Sequence, residues 1–452
     1  MRNLIPLLLL PAILVAEPSA AQVPDVSQRP EAAPSPWWRA FGDPLIDQAV
    51  MRALDAGLDV EIASARLDQA AASARATRAS LLPAIGVGAS AAAIRQSLED
   101  PQIRPFAGFP GFQRDVERYD VRATASWEID LFGAGPKRRA ARASVEAAQA
   151  DVAAARVAVA ADTAAACLNI RELQQRITIA KARAASLERQ RQAIRLRVDA
   201  GVVAPLELDR LTGETEGAQA TIPVLEALFA GEVARLGVLI GDAATARSLS
   251  ALPSPERPIL PTGPALGGLE VTLSGRPDVL AAERRLAAAD AGISIARAQR
   301  WPKLSLAGLI ATVASAPAAL FTGAATAAQG QGGLGVTLFD FGRVDAAIAQ
   351  AKGQRREALA NYRLSLLRAG AEVETAGATL ARRTAEADRQ AAAAAALTRA
   401  EATARRTYDA GALDLTSLLD AERGSLAARE NVVVARSAAS RAIVDLFRST
   451  AS

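Results

Sequence analysis

The segment at positions 119–131, Tyr-Asp-Val-Arg-Ala-Thr-Ala-Ser-Trp-Glu-Ile-Asp-Leu, decides how the rest of the chain is interpreted. Its odd positions are apolar or aromatic and its even positions are polar or charged, without a break over the whole segment. Such alternation is typical of a β-strand with one apolar and one polar face. The segment is also about as long as a tilted transmembrane strand needs to be. It therefore predicts a strand suited to crossing a membrane.

Weaker alternation of the same kind occurs in three more segments, at positions 85–93, 304–310 and 334–338, which makes four strands in two hairpins. The commoner interpretation of such a pattern is a soluble sheet with one wet face. That interpretation loses support because the chain has no further strands from which to build a sandwich. Four strands are too few for a barrel, since the smallest outer-membrane barrels have about eight, and open sheet edges do not face lipid. We therefore expect three chains to share one twelve-stranded barrel.

The chain contains an internal duplication with a spacing of about 210 to 220 residues. The motifs at 81–85, 129–133 and 198–201 return in the same order at 300–304, 338–342 and 408–411. Each repeat is predicted to contain a helix, a strand hairpin (about 84–131 and 303–340) and a long helical hairpin (about 136–240 and 343–447). The predicted division is a signal peptide (1–21), an N-terminal extended segment (22–42), a first repeat (43–241), a linker (242–275) and a second repeat (276–452).

Two stretches predict very long helices, because no proline interrupts positions 137–199 or 343–409. Each would be on the order of 95 Å long at 1.5 Å per residue. Alanine dominates the hydrophobic half of the chain and aromatic residues make up only 4% of it, which favours closely packed helices over a conventional core. Gly201 and Gly411 follow the two stretches and are expected where each helix turns back. On the helices alone, a structural coiled coil without a channel remains an alternative.

Composition argues against catalysis and against bound cofactors. The chain has no histidine and a single cysteine, Cys167, in an apolar helical context. These numbers remove Cys–His nucleophilic pairs, histidine acid–base chemistry and the usual zinc ligand sets. We expect no enzyme activity, no cofactor and no metal site. The net charge of +4 is spread along the chain without an aromatic-interleaved basic patch, so no nucleic-acid partner is expected.

One glycine-rich run resembles a dinucleotide-binding loop. Positions 330–335 read Gly-Gln-Gly-Gly-Leu-Gly and satisfy the G-x-G-x-x-G spacing. A dinucleotide loop would follow a strand and open a helix, whereas this run precedes a predicted strand. We therefore interpret it as a flexible approach to the fourth strand.

The N-terminus predicts secretion. A basic start, an apolar run at 4–15 and the small residues Ser19-Ala20-Ala21 are typical of a signal peptide, cleaved after Ala21. No cysteine follows the apolar run, so a lipid anchor is not expected. The run is too short to cross a membrane, and no later stretch offers about 18 uninterrupted strongly apolar residues. Any membrane crossing is therefore expected to be made by strands.

Several motifs resemble the signatures of the TolC-like outer membrane factors, especially the OprM/NodT branch. The resemblance covers nearly the whole mature chain, and its motifs stand at 37–44 (WWRAFGDP), 127–133 (WEIDLFG), 276–279 (RPDV) and 338–342 (LFDFG). It implies a mixed α and β membrane protein: a homotrimer with a twelve-stranded transmembrane β-barrel, four strands per chain, continued by a twelve-helix periplasmic α-barrel. It also implies an outer-membrane location with most of the mass in the periplasm.

The resemblance implies a passive exit channel of a tripartite efflux system that exports small molecules such as drugs and toxic compounds. The implied partners are a periplasmic adaptor (membrane fusion) protein, a proton-driven inner-membrane pump and outer-membrane lipid. An alternative with the same fold is the exit duct of a type I protein secretion system.

The resemblance also implies site residues at the two helix turns. Adaptor contacts fall on the turn residues Gly201, Val202, Gly411, Ala412 and Leu413. In the gate, Asp420 matches a constriction-ring aspartate, Tyr408 a tyrosine that ties neighbouring helices, and Glu207 the acidic partner of that tie. Ser417 stands where one branch has a second ring aspartate and Leu413 where that branch has an arginine, so the tie network of that branch is only partly present.

Overall fold

The computed structural model describes residues 36–254, 261, 263 and 274–451. The expected signal peptide (1–21), most of the N-terminal extended segment and much of the linker lie outside the described residues. A 3₁₀ helix at Trp37–Phe41 precedes the first α-helix. Eight α-helices follow among the described residues: α1 (Pro44–Ala56), α2 (Leu58–Ala79), α3 (Ala134–Asp199), α4 (Pro205–Leu239), α5 (Ala243–Ser250), α6 (Pro277–Ala298), α7 (Arg343–Asp409) and α8 (Leu415–Thr450).

The two long helices are 66 residues (α3) and 67 residues (α7) long and end at the predicted positions. Each is followed by a glycine in the left-handed region, Gly201 at φ 71° and Gly411 at φ 76°. The next N–H group folds back onto the helix, since Val202 donates to the Arg197 carbonyl and Ala412 donates to the Thr407 carbonyl. These closing bonds stop each helix. The chain then returns as α4 and as α8, which gives two helical hairpins.

The four strands form one antiparallel sheet in the order β1-β2-β3-β4. The strands are β1 (Ala84–Arg95), β2 (Asp115–Ile129), β3 (Lys303–Ala314) and β4 (Thr326–Gly335). The predicted fold class, with four strands per chain and long helical hairpins, is confirmed.

The fourth strand corrects the sequence interpretation in its position. It was expected at about 334–338, but β4 begins at Thr326 and ends at Gly335. The run 330–335 is therefore part of the strand, paired with residues 303–308 of β3, and not a flexible approach to it. Glycine has a low strand propensity, so periodicity does not reveal this strand. Pairing with the complete β3 ladder supplies the hydrogen bonds that hold it.

The main core lies where the N-terminal segment packs on the long helices. The Trp37 ring stacks on Phe447 near the end of α8, with centroids 4.8 Å apart. The Arg171 guanidinium of α3 forms two hydrogen bonds, of 2.7 and 2.8 Å, with the Asp43 carboxylate, and both side chains are buried. Asp43 also caps α1 through the Leu45 N–H group. Cys167 is fully buried in this core, as expected, and burial raises the pKa of its thiol.

Helix α3 contains a stretch that, by length and mean composition, is apolar enough to cross a membrane. Charged side chains interrupt it, so it is not the uninterrupted apolar run whose absence was expected. The same helix supplies Val159, Ala160, Ala164 and Ile170 to the main core. Packing against α1 and α8 therefore accounts for much of its apolar surface. Alanine, which is only mildly apolar, makes the stretch easy to overlook in the sequence.

Candidate functional site

The turns of the two helical hairpins carry the residues expected to contact an adaptor. Gly201 and Gly411 have no atom within 4 Å of the position that a Cβ would occupy. Val202 and Ala412 are exposed, and Leu413 is half-buried. The turns thus present small residues at the surface of the chain, and a partner can approach the backbone closely there.

The second turn leads into α8 through a side-chain cap. The Asp414 carboxylate accepts hydrogen bonds from the Ser417 N–H group (3.0 Å) and from the Ser417 hydroxyl (2.7 Å). The bond from the hydroxyl is the main reason that the pKa of Asp414 lies below its ordinary value. Asp414 therefore acts as a helix cap, as its position suggests. Ser417, expected in the gate, is engaged in that cap.

Asp420 lies on the exposed side of α8, and 66% of its side chain is accessible in the single chain. Its carboxylate is 2.6 Å from the Arg423 guanidinium one turn further along the helix. The expected ring aspartate is thus already paired within its own chain. Arg423 also donates to Glu214 of α4, at 2.9 Å.

Glu214 extends this pairing along α4. It accepts a hydrogen bond from Arg210 at 3.1 Å, and Arg210 donates to Glu207 at 3.0 Å. The bond to Glu207 is the first reason that the pKa of Arg210 is raised. We call the five alternating charges the tip charge chain, comprising Glu207, Arg210, Glu214, Arg423 and Asp420. It joins the first helical hairpin to the second and carries a net charge of −1.

The tyrosine expected to tie helices together is placed near this chain of charges but is not joined to it. Tyr408 is 37% exposed. Among the described residues its hydroxyl forms no hydrogen bond with Glu207, whose carboxylate accepts from Arg210 instead. A contact between Tyr408 and Glu207 stays a prediction.

Sequence reasoning missed Arg210, Glu214 and Arg423. Part of the signal was available, since Glu207, Arg210 and Glu214 follow the spacing at which opposite charges pair on a helix. The bond from Arg423 to Glu214 was not available, because 209 residues separate the two. Only the packing of one helical hairpin on the other brings them together.

Further polar contacts join the two hairpins along their shafts. The Glu422 carboxylate of α8 accepts a 2.5 Å hydrogen bond from Ser186 of α3 and also pairs with Arg405 of α7. Further from the helix turns, Arg441 of α8 donates to Glu172 of α3 at 2.7 Å. The tip charge chain is therefore the last in a series of contacts between the hairpins.

The sheet has two chemically different faces. One face is apolar or small except for Arg95, Asp115 and Glu117 near one end, and its large apolar members are Ile85, Val87, Tyr119, Val121, Trp127, Ile129, Leu304, Leu306, Ile310 and Leu334. The opposite face contains the polar side chains Ser90, Arg118, Asp120, Arg122, Thr124, Ser126, Glu128, Lys303, Ser305, Gln329 and Gln331. In a membrane barrel the apolar face lies against lipid and the polar face lines the lumen. No cluster of potential metal ligands occurs in the described part of the chain.

Comparison with known proteins gives consistent results. A family model described as outer membrane efflux protein matches residues 49–242 and 268–452. The pyoverdine export outer membrane protein OpmQ of Pseudomonas putida is 29% identical over 378 residues, which are 81% of this chain and 77% of that protein. The outer membrane protein OprJ of Pseudomonas aeruginosa is 29% identical over 421 residues, covering 91% of this chain and 85% of that protein.

Solved structures agree in fold. The outer-membrane channel OprN superposes with a TM-score of 0.79 and 30% identity, covering 92% of each chain. The Campylobacter jejuni CmeC outer membrane channel has a TM-score of 0.81 at 22% identity, covering 92% of this chain and 87% of that chain, which supports the fold alone.

Proposed function

Because the chain belongs to the outer membrane efflux protein family, we propose that it is the last component of a tripartite pump. The protein itself is an outer-membrane efflux channel with a large periplasmic helical portion, and its family consists of channels and not of enzymes. In the proposed assembly a periplasmic adaptor and a proton-driven inner-membrane pump deliver the cargo. The channel supplies a passive path through the outer membrane.

One observation carries the proposal: a single chain combines a two-faced, four-stranded sheet with two helical hairpins whose long helices exceed 60 residues. Strands β1 and β4 each keep one unpaired edge in the single chain. Hydrocarbon does not tolerate such edges, and a trimer of four-stranded sheets closes them in a twelve-stranded barrel. The hairpins then continue the duct into the periplasm.

The names of the relatives favour small-molecule cargo over protein secretion. They include two pyoverdine export proteins and a toluene efflux pump protein of Pseudomonas putida. We extend that class of cargo to this chain, and we assign the choice of individual compounds to the inner-membrane pump.

We assign adaptor docking to the two turns, at the residues Gly201, Val202, Gly411, Ala412 and Leu413. The open space at Gly201 and Gly411 and the exposure of Val202 and Ala412 support the assignment, and Leu413 is included because it directly follows Ala412 in the second turn.

We assign the gate to the neighbouring residues of α4, α7 and α8. Threefold symmetry would place three copies of Asp420 around the pore axis, with Ser417 holding the start of α8 and Tyr408 and Glu207 near the tie. Arg423 offsets part of the charge of each Asp420, because the two are in direct contact. The expected ring is therefore only weakly cation-selective.

The proposed function is tested in cells. Deletion of the gene should raise the accumulation of a fluorescent efflux dye, and re-expression should restore extrusion only when the pump and the adaptor are both present. A Gly411→Val variant, which alters a proposed docking turn, should assemble as a trimer but restore little extrusion. Unchanged dye accumulation together with the loss of a secreted protein would instead identify a secretion duct.

A further inference from the structure

Strand β2 places two arginines on the polar face of the sheet, Arg118 near the end remote from the helices and Arg122 at the middle of the strand. Arg118 lies opposite Ala92 of β1, and Arg122 lies between Gly88 of β1 and Ala311 of β3. Because these neighbours are small, no bulky side chain covers either guanidinium. Both arginines are exposed. Since β2 is hydrogen-bonded to β1 and to β3 within one chain, the orientation of both arginines does not depend on the subunit boundary.

The connectivity identifies the end of the barrel at which they lie. The C-terminal end of β2 at Ile129 leads within five residues into α3, so that end faces the periplasm. The N-terminal end of β2 follows the turn at 96–114, so it faces the exterior. Arg118 therefore lines the outer half of the lumen, and Arg122 lies at its middle.

Acidic partners do not cancel this positive charge. Asp120 is the only carboxylate on the polar face in the outer half of the four strands, and it is 6% exposed. It accepts hydrogen bonds from Ser90 and from Arg122, at 2.5 and 3.0 Å. Arg118 forms no hydrogen bond with any other residue that the structure describes. One carboxylate therefore faces two guanidinium groups, which leaves one positive charge per chain on this part of the face, and Arg118 is the arginine without a hydrogen bond to it.

The remaining charges near the exit are balanced or lie off the polar face. At the periplasmic end of the polar face, Glu128 and Lys303 form a 2.7 Å ion pair. The turn at 96–114 contains two acidic and two basic residues, and the turn at 315–325 contains none. Glu117 lies on the apolar face, with the Tyr119 hydroxyl bonded to it. The polar face of the four strands holds three basic and two acidic side chains, a net charge of +1 per chain.

We infer that three copies of Arg118 and three of Arg122 form a basic girdle between the middle and the outer end of the barrel, which binds multivalent anionic solutes as they leave. A guanidinium binds carboxylate and phosphate groups through paired N–H donors, so solutes that carry such groups are the class that the girdle favours. The girdle deepens the proposed function and rests on the chain forming a trimeric channel. Its sign is opposite to that of the tip charge chain at the periplasmic end.

Salt determines where the effect is measurable. The Debye length is about 30 Å at 0.01 M salt and about 3 Å at 1 M. Charges spaced around a wide lumen therefore act together in dilute salt and are screened in concentrated salt. The girdle should hold a multivalent anion strongly at low ionic strength only.

The test is single-channel recording in planar bilayers, with sodium tripolyphosphate as the probe. The orientation of each channel is determined with trypsin added to one compartment, because only helical tips that face that compartment are digested. In about 10 mM KCl, the probe added on the side of the strand turns 96–114 and 315–325 should block the wild-type current. In 1 M KCl the block should disappear. Arg118→Gln should raise the half-blocking concentration roughly five- to tenfold, because each trimer loses three charges at one depth.

Two further variants keep the result interpretable. Arg95→Gln is the matched control, since Arg95 lies at the same end of the sheet but on the apolar face. It should change the block much less than Arg118→Gln does, because Arg95 is not on the face that lines the lumen. Gln329→Arg adds a charge on the polar face and should strengthen the block. Trimer content on a native gel confirms that each variant assembles.

Equal half-blocking concentrations for the wild type and Arg118→Gln would overturn the girdle, and so would equal weakening by Arg95→Gln. A wild-type channel that conducts but is not blocked would overturn the girdle while leaving the channel intact. A trimer without any conductance would overturn the proposed channel and the girdle together.

Discussion

The bond between Arg423 and Glu214 should help to hold the periplasmic tips closed, since it links α8 of one helical hairpin to α4 of the other. Its two side chains are 26% and 31% exposed, and the nitrogen–oxygen distance is 2.9 Å. Exposed ion pairs contribute about 0.2–1 kcal/mol, and this half-buried pair belongs near the upper limit. Three pairs per trimer then stabilise the closed tips by about 3 kcal/mol. If opening separates all three, their loss should raise the ratio of open to closed channels about a hundredfold.

The open probability of single channels measures this ratio. Arg423→Gln also frees Asp420, and Glu214→Gln also removes one of the two partners of Arg210, which keeps its bond to Glu207. Glu214→Gln is the cleaner variant because it leaves the contact between Asp420 and Arg423 in place. The double variant should open no more often than either single variant, since both remove the same bond. Lys181→Gln is the matched control, because Lys181 pairs at 2.8 Å with Glu226 inside one hairpin.

If the open probability of Glu214→Gln channels equals that of the wild type, the bond has no role in closure. Fully additive effects of Glu214→Gln and Arg423→Gln would refute the shared-bond reasoning. An equal rise for Lys181→Gln would show that loss of any ion pair opens the tips.

Three further predictions concern the turns and the core. Gly411→Val should cost about 1–3 kcal/mol locally, because Gly411 has φ 76°, and chemical crosslinking to the adaptor should fall while the trimer persists. The cap of α8 should fail in acid, because the pKa of Asp414 is lower in the folded protein than in the unfolded chain. The stabilisation of α8 by this carboxylate is complete above the ordinary aspartate pKa of about 3.9 and is lost as the pH falls below that pKa. Hydrogen exchange in the first turn of α8 measures that loss, which Ser417→Ala should shift to higher pH; an unshifted profile would contradict the hydroxyl's role. Arg171→Met should destabilise the chain by about 3–5 kcal/mol, because it leaves the Asp43 carboxylate buried without its cation, and a melting temperature equal to that of the wild type would show that Asp43 finds another donor.

Local pattern by itself determined much of this protein. The alternation that begins at Tyr119 marks a strand with an apolar face, because side chains in a strand alternate with a period of two. Gly201 and Gly411 mark the helix ends, because a left-handed residue after a helix favours glycine. Asp414 was recognisable as an N-terminal helix residue from its place before α8. Each of these signals lies within a few residues of the feature that it predicts.

Only the tertiary structure decided the features that depend on distant partners. Strand β4 begins at Thr326 although its sequence is rich in glycine, because β3 offers it a complete hydrogen-bonding edge. Arg423 meets Glu214 across 209 residues of chain because the two hairpins pack side by side. Asp120 accepts hydrogen bonds from Ser90 and Arg122, whereas Arg118, two residues earlier on the same face, forms no hydrogen bond with the residues that the structure describes. A sequence pattern shows which face a charged side chain occupies, but the neighbouring strands decide whether that charge is neutralised.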